Sequence, residues 1–260
     1  MCQGFTKKSK PVKTFAFESE GIGAKQKNNF NIYNLPSSIF KYVFLYLGGF
    51  ILAIAIEKWQ LHKRIALHII QLIGTNVKNI ILGFMVATAF LSMWISNTAT
   101  SVMMLPIGMS IVSQLKDNPN TIEDENRIFG KALMLGIAYS ASIGGMATLI
   151  GTPPNLVFAG YIQEVYNIDI SFFQWFKFGF PISIVLLAIS WLYLTNVAYT
   201  FKQKEFPGGK AEINRLLKDL GPMQKEEKVV LAVFIGTAFL LILFILFIVN
   251  FFGLVIFFFI

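Results

Sequence analysis

The sequence predicts an all-α polytopic membrane protein. Hydrophobic residues make up 55% of its 260 positions, and its mean hydropathy is +0.62. Charged residues make up only 14%, whereas an ordinary soluble domain carries about 25%. All but four of the 22 basic and 14 acidic side chains fall in five patches, namely 1–34, 57–64, Lys78, 116–131 and 200–228. The long charge-free runs between these patches are typical of segments whose solvent is lipid.

This charge pattern divides the chain into eight predicted segments. The first apolar run, at about 39–56, is long enough to cross roughly 30 Å of hydrocarbon. Basic and apolar side chains alternate over 57–73, which predicts an amphipathic helix lying in the interface. The segments are a polar basic tail (1–34), a transmembrane helix plus the interfacial helix (35–78), a re-entrant helical hairpin (79–115), a cytoplasmic linker (116–128), a discontinuous helix (129–168), a transmembrane helix (169–199), a second cytoplasmic linker (200–228) and a final transmembrane segment (229–260).

The hairpin is predicted from the stretch 79–115, which contains no charged residue. As one straight helix it would rise about 55 Å, far more than a bilayer needs. Six small or polar residues, 96–101, stand at its centre between apolar flanks that are each marginal for a full crossing. We therefore predict a hairpin that enters the membrane from one side, with its tip near mid-membrane.

A second interruption follows at Gly-Thr-Pro-Pro-Asn, residues 151–155. Proline cannot continue a helix, and the residue before a proline is pushed out of the α region. We predict that an apolar helix over 129–150, broken by Gly144-Gly145, ends here and that an apolar course resumes at 156–162. This pattern indicates a discontinuous helix.

The two polar breaks hold the candidate binding residues. Irregular backbone survives at membrane depth only inside protein or around a cavity, because each unpaired N–H or C=O costs several kcal/mol in hydrocarbon. Thr98 and the residues after it are predicted to open a helix whose N-terminus faces an anion. Ser96 and Asn97 are predicted to end the preceding helix and to offer oxygens to a hard cation. Ser92 lies one turn earlier on the same face.

An alternative is that these hydroxyls only bond back to their own helix, while Asn97 bridges neighbouring helices. The second break, with Thr152 and Asn155, favours a binding site instead, because transporter sites are often built from paired interruptions. The residues alone therefore predict a multi-pass transporter of the cell membrane, surrounded by the lipid bilayer, with its site between the two breaks.

Other functions are excluded or disfavoured. The formal charge of +8 would suit nucleic acid, but the lysines stand between apolar segments, where cytoplasmic loops carry them. No nucleic-acid partner is expected. Cys2 is the single cysteine, which excludes a disulfide framework. His62 and His68 are interpreted as interfacial anchors and Glu164 as part of a solvated loop. No catalytic residue is predicted, so the protein is not expected to be an enzyme.

Three stretches carry a family resemblance: LGGFILAIAIEKWQLHKRIALHI, FLSMWISNTATSVMMLP and GIAYSASIGGMATLIGTPPN. They resemble the divalent anion:sodium symporter family, the sodium-coupled dicarboxylate, citrate and sulfate carriers, over about residues 39–228. The resemblance implies an elevator-type carrier, usually a homodimer, with two inverted repeats. Each repeat contributes a re-entrant hairpin and a broken helix to one central site.

Site residues also follow from the resemblance. By matching motif positions it implies a first sodium site at Ser92, Ser96, Asn97 and Gly151. It implies substrate contacts at Asn97, Thr98 and Thr152, where amide and hydroxyl groups hold a carboxylate. The family's second repeat supplies another serine-asparagine-threonine tip, and no second such tip occurs in these 260 residues. No cofactor is expected beyond Na⁺ as the coupling ion.

The expected function is sodium-coupled symport of di- or tricarboxylates or related divalent anions across the inner or plasma membrane. One alternative is a proton-coupled or sulfate-type anion carrier of the same fold, and another is an inactive truncated membrane fragment. If the hairpin enters from the cytoplasm, 14 basic residues lie inside against one outside, but the basic tail 1–34 would then also lie outside. We interpret this conflict and the apolar C-terminus as signs of an incomplete protein.

Overall fold

The computed structural model describes residues 37–74, 76–116, 123–199, 201 and 209–241. Their regular structure is built from helices, which confirms the predicted all-α class. The helices are α1 (Ser37–Lys58), α2 (Leu61–Ile73), α3 (Val77–Ser92), α4 (Asn97–Lys116), α5 (Glu123–Ala147), α6 (Pro153–Tyr166), α7 (Phe172–Leu192) with a π-helical turn (Tyr193–Ala198), α8 (Gly209–Asp219) and α9 (225–241). The predicted tail 1–34 and the part of the final segment after 241 lie outside the described residues.

The central helix of this arrangement is α5, which packs against α3, α4 and α7. The contacts along α5 show in which direction α3 and α4, the two helices of the predicted hairpin, run relative to α5. The contacts are Met85–Gly136 and Ala89–Gly144 for α3, and Asn97–Gly145 and Val112–Gly130 for α4. Thus α3 runs in the same direction as α5 and α4 runs in the opposite direction. Together α3 and α4 form a helical hairpin along one side of α5.

The glycine pair of α5 sets the distance between α5 and the hairpin. The prediction that Gly144-Gly145 breaks the helix is wrong, because α5 continues through both residues to Ala147. A Cβ on Gly144 would lie 2.2 Å from the carbonyl oxygen of Ala89 and 2.6 Å from its Cα. Helix backbones that approach this closely require small residues, which is a common basis of helix packing in lipid.

The chain turns sharply between α1 and α2, by 76°. Gln60 stands at the turn in the left-handed region, with φ of 54°. The predicted amphipathic helix over 57–73 is therefore wrong at its start, since Glu57 and Lys58 end α1 and α2 begins at Leu61. His62 is also buried rather than exposed at an interface, and its Nδ1 lies 3.3 Å from the carbonyl oxygen of Ile56.

Charged side chains attach α8 and α9 to the rest of the molecule. Glu212 of α8 is buried, accepts a hydrogen bond of 2.8 Å from the hydroxyl of Ser110 on α4, and pairs with Arg215 at 2.7 Å. Arg64 of α2 lies 3.2 Å from the carboxylate of Glu227 on α9. Polar contacts thus hold α8 against α4 and α9 against α2.

Among the described residues, two helices are long and apolar enough to cross a membrane, Asn126–Ala147 and Phe172–Ala198. A third crossing results if the bent pair Val43–Lys58 and Leu61–Ile73 is one span. By contrast, α3 is shorter, and most of its side chains are buried by protein. The re-entrant placement of the hairpin and the cytoplasmic placement of the linkers stay predictions.

The glycine contact gives a stability prediction. Gly144→Ala should destabilise the protein by about 1–3 kcal/mol or more, because the added methyl group meets backbone atoms that have no rotamer to move away. Gly48→Ala is the matched control, since no atom in the part of the chain that the structure describes lies within 4 Å of a Cβ at Gly48, and alanine favours a helix over glycine by about 1 kcal/mol. Thermal unfolding in detergent would measure both. Equal melting temperatures for the two variants would contradict the contact.

A pH dependence follows from Glu212. The hydrogen bond from Arg215, assisted by that from Ser110, holds the pKa of the Glu212 carboxyl below its usual range despite its burial. A lowered folded-state pKa adds stability that is complete above the ordinary carboxyl pKa of about 4.3 and is lost as the pH falls through the folded value. The melting temperature of wild type should therefore exceed that of Glu212→Gln at about pH 6, and the difference should shrink toward about pH 3. A difference that is constant with pH would contradict this assignment, and Glu226→Gln on the exposed side of α9 is the control.

Candidate functional site

The first break separates α3 from α4 at residues 93–96. Ser96 caps the new helix, since its hydroxyl oxygen accepts a hydrogen bond of 3.3 Å from the N–H of Ala99. The prediction that Ser96 and Asn97 end the preceding helix is wrong. α3 ends at Ser92, and Asn97 is the first residue of α4. The physical reason is that a serine before a helix satisfies one of its free N–H groups.

The second break occupies residues 148–152, between α5 and α6. α6 begins at Pro153, three residues before the predicted restart at 156. Pro153 and Pro154 fill its first two positions, where a missing N–H costs nothing because these groups have no partner within the helix. The start of α6 therefore presents fewer N–H donors than an ordinary helix N-terminus.

Asn155 closes the second break. Its side-chain amide donates to the carbonyl oxygen of Gly145 at 3.0 Å and to that of Thr148 at 2.8 Å. The last four carbonyl groups of a helix have no partner within it. The side chain is buried, so this amide supplies hydrogen bonds at the end of α5 where water has little access.

Asn97 lies where the two breaks meet. Its Oδ1 accepts a hydrogen bond of 2.8 Å from the hydroxyl of Ser92, and the same hydroxyl lies 2.6 Å from the carbonyl oxygen of Ala141. A Cβ on Gly145 would lie 2.1 Å from Oδ1 of Asn97. A Cβ on Gly151 would in turn lie 2.5 Å from the carbonyl oxygen of Gly145. The amide of Asn97 therefore packs directly on the last turn of α5, and Gly151 of the second break packs on the same turn.

The predicted sodium-site residues Ser92, Ser96, Asn97 and Gly151 lie around this junction. Ser92 bonds to Asn97, and Gly151 reaches the same turn of α5 through Gly145. Ser96 and Gly151 line one small cavity. Their role as sodium ligands stays a prediction.

The predicted substrate residues Asn97, Thr98 and Thr152 differ in their exposure. Asn97 is half-buried, and Thr98 is exposed in the first turn of α4. Thr152 is half-buried and precedes α6 without forming a side-chain cap hydrogen bond. Its hydroxyl is thus not used to cap its own helix.

Chemically, the junction presents neutral oxygens and free N–H groups. The Ser92 hydroxyl donates its one proton and keeps lone pairs for a cation, and Asn97 adds an amide oxygen. Within the described ranges no group of three or more His, Cys, Asp or Glu side chains could hold a metal ion. The N–H groups of Asn97 and Thr98 stand at the N-terminus of α4, where helices bind anions.

Two residues of this site escaped the sequence reasoning. Thr148 donates its hydroxyl to the carbonyl oxygen of Met93, and so ties the second break to the end of α3. Gly145 supplies the surface on which Asn97 packs. Nothing near Thr148 in the sequence points to Met93, which lies 55 residues earlier. The glycine pair is a usable signal, but in the sequence alone it is as typical of a helix break as of a close contact between helices.

Comparison with known proteins assigns the chain to a family. A family model described as citrate transporter matches residues 21–260. The chain belongs to the citrate transporter family. Similar proteins are the sodium-dependent dicarboxylate transporters SdcS of Staphylococcus aureus strains USA300, NCTC 8325 / PS 47 and MRSA252, each 49% identical over 195 residues.

These matches confirm the resemblance to the divalent anion:sodium symporter type, and the matched relatives are transporters by name, not enzymes. The alignment with each SdcS protein covers 74% of this chain and 38% of the relative. The family member described here therefore spans little more than a third of the length of these curated relatives.

The tie between the breaks gives a prediction for this citrate transporter family member. Thr148→Val should cost about 1–3 kcal/mol of stability, because it removes the hydroxyl that donates to the part-buried carbonyl group of Met93. Thr88→Val is the matched control, since the Thr88 hydroxyl bonds only to Phe84 one turn earlier in its own helix. Thermal unfolding of the two variants would measure the difference. A loss for Thr148→Val no larger than for Thr88→Val would show that the two breaks are not coupled through this hydroxyl.

Proposed function

We propose that this chain supplies the hairpin, the discontinuous helix and the first sodium site of a carrier that couples Na⁺ to the transport of di- or tricarboxylates. The observation that carries the proposal is the position of Asn97. Its amide lies between the two helix breaks, bonded to Ser92 on one side and packed on Gly145 on the other. Discontinuous helices that meet in this way form the substrate and ion sites of many secondary transporters.

In the proposed sodium site, the ligands are the hydroxyls of Ser92 and Ser96, the amide oxygen of Asn97 and the backbone carbonyl of Gly151. All are neutral oxygens, which suit a hard monovalent cation. The C-terminal ends of α3 and α5 both point into this region, and their partial negative charge favours a cation. These features support Na⁺ as the coupling ion without any acidic ligand in the first site.

In the proposed substrate site, Asn97, Thr98 and Thr152 hold one carboxylate by amide, hydroxyl and backbone N–H donors. The positive N-terminal end of α4 favours this anion. The SdcS relatives are dicarboxylate transporters by name, which supports a dicarboxylate over a monovalent anion. The proline pair at the start of α6 makes α4 the main N–H donor within this chain.

In the proposed transport cycle, the site moves as part of a rigid body in an elevator-type carrier with inverted repeats, assembled as a homodimer in the cell membrane. The close contacts of α3 and α4 with α5 support joint movement of the hairpin and the discontinuous helix. Binding of Na⁺ before the anion would order the tip residues and offset the repulsion between an incoming carboxylate and the carbonyl ends of α3 and α5.

Sodium binding can be tested on the purified chain. NaCl should raise its melting temperature above that in KCl or choline chloride at equal ionic strength, since a ligand that binds only the folded state at about 100 times its Kd stabilises by about 2.7 kcal/mol. Asn97→Ala should abolish the shift. Asn79→Ala, which changes an asparagine near the other end of α3, should retain it. A chain that responds equally to all three salts would refute the sodium site.

Transport is tested separately, by uptake of labelled succinate into proteoliposomes that contain the chain. Uptake driven by an inward Na⁺ gradient supports the sodium symporter, whereas uptake driven by a proton gradient in choline supports the proton-coupled alternative. Competition by sulfate in place of succinate would identify the sulfate-type carrier. Sodium binding without uptake would limit the chain's own role to providing half of the site.

A further inference from the structure

A carboxylate lies beside the proposed sodium site. Glu57, near the end of α1, lines a small cavity together with Ser96 at the hairpin break and Gly151 at the second break. The other lining residues are mostly apolar, and Glu57 is the only acidic residue among those that line this cavity. The exposed carboxylate of Glu57 therefore lines the same cavity as residues of both helix breaks.

The size of this cavity decides what it can hold. Its volume is about 70 Å³, and a water molecule needs roughly 10–15 Å³ by the same measure. The cavity therefore accommodates a cation with a few waters. Sites for small organic ligands are usually about 300–1,000 Å³, so a dicarboxylate does not fit here.

The charged group of the cavity favours a cation, and its buried N–H donor favours water. Trp94 lines it, and the buried indole N–H of Trp94 has no acceptor among the described residues. Buried donors of this kind are usually bonded to ordered water. The carboxylate of Glu57 repels a dicarboxylate and attracts Na⁺, while the basic side chain of the next residue, Lys58, lies over the ring of Trp59.

We infer that Glu57 is a sodium-recruiting residue: it draws Na⁺ into this cavity and passes it to the site at Ser96 and Gly151. This inference rests on the proposed function and adds a residue from α1, outside the hairpin and the discontinuous helix. Glu57 acts by its charge on the way to the site, so its removal lowers the apparent sodium affinity and leaves the site itself in place.

The experiment measures the sodium concentration dependence of the melting temperature of the purified chain. Glu57→Gln should raise the half-saturating sodium concentration about three- to fivefold, the range expected for one solvent-exposed charge. Glu57→Asp should restore most of the affinity. Added choline chloride should weaken sodium binding by wild type more than by Glu57→Gln, because exposed charges are screened by salt. Glu164→Gln is the matched control, since Glu164 lines a different, apolar cavity between α1 and α6.

The outcomes separate this inference from the proposed function. If the melting temperature of wild type does not respond to sodium, the proposed sodium site is refuted, and the role inferred for Glu57 is refuted with it. If wild type responds and Glu57→Gln responds with the same half-saturation, the inference alone is overturned. An equal loss in Glu164→Gln would also overturn it, because the effect would then be one of net charge. The melting temperature in KCl shows whether Glu57→Gln is folded in the absence of sodium. If it is not folded, the half-saturating sodium concentration of Glu57→Asp is compared with that of wild type instead.

Discussion

The close approach of α5 to the hairpin is the constraint on which the rest of the site depends. At Gly144 the backbone of α5 touches Ala89 of α3, and at Gly145 it touches the amide of Asn97. The hydrogen bonds from Ser92 to Ala141 and from Thr148 to Met93 span the same interface. Hydrogen bonds weaken steeply with distance, so they form only because both glycines allow the backbones to meet.

The first helix break is completed by a group from the second, and the second break is completed by the helix that follows it. Thr148, in the second break, supplies a donor to the end of α3, and Asn155 bonds carbonyl groups at the end of α5. Backbone groups at membrane depth need such partners because no bulk water reaches them. The hairpin tip and the discontinuous helix are thus one polar unit inside an apolar body, whereas the ion pairs of α8 and α9 lie among the charged linkers.

Sequence reasoning found the parts of this site that differ from their surroundings. Ser96, Asn97 and Thr152 are conspicuous as polar residues in charge-free runs, and proline marks the start of α6. It failed where the meaning of a residue depends on a distant partner. Gly144 looks like a helix breaker until Ala89 is placed against it, and His62 looks like an interfacial anchor until the turn between α1 and α2 buries it. The bounds of α4 were misplaced because a serine that can end one helix can also cap the next.

The packing of Asn97, Gly145 and Gly151 around one helical turn has a consequence for how such proteins diverge. No unoccupied volume separates Asn97 from Gly145, or Gly145 from Gly151. A side chain at Gly145 is tolerated only if Asn97 is replaced by a smaller residue, whereas a side chain at Gly151 meets backbone atoms of Gly145 that no substitution removes. The order of substitutions is therefore constrained, because a side chain at Gly145 has room only after Asn97 has been replaced by a smaller residue.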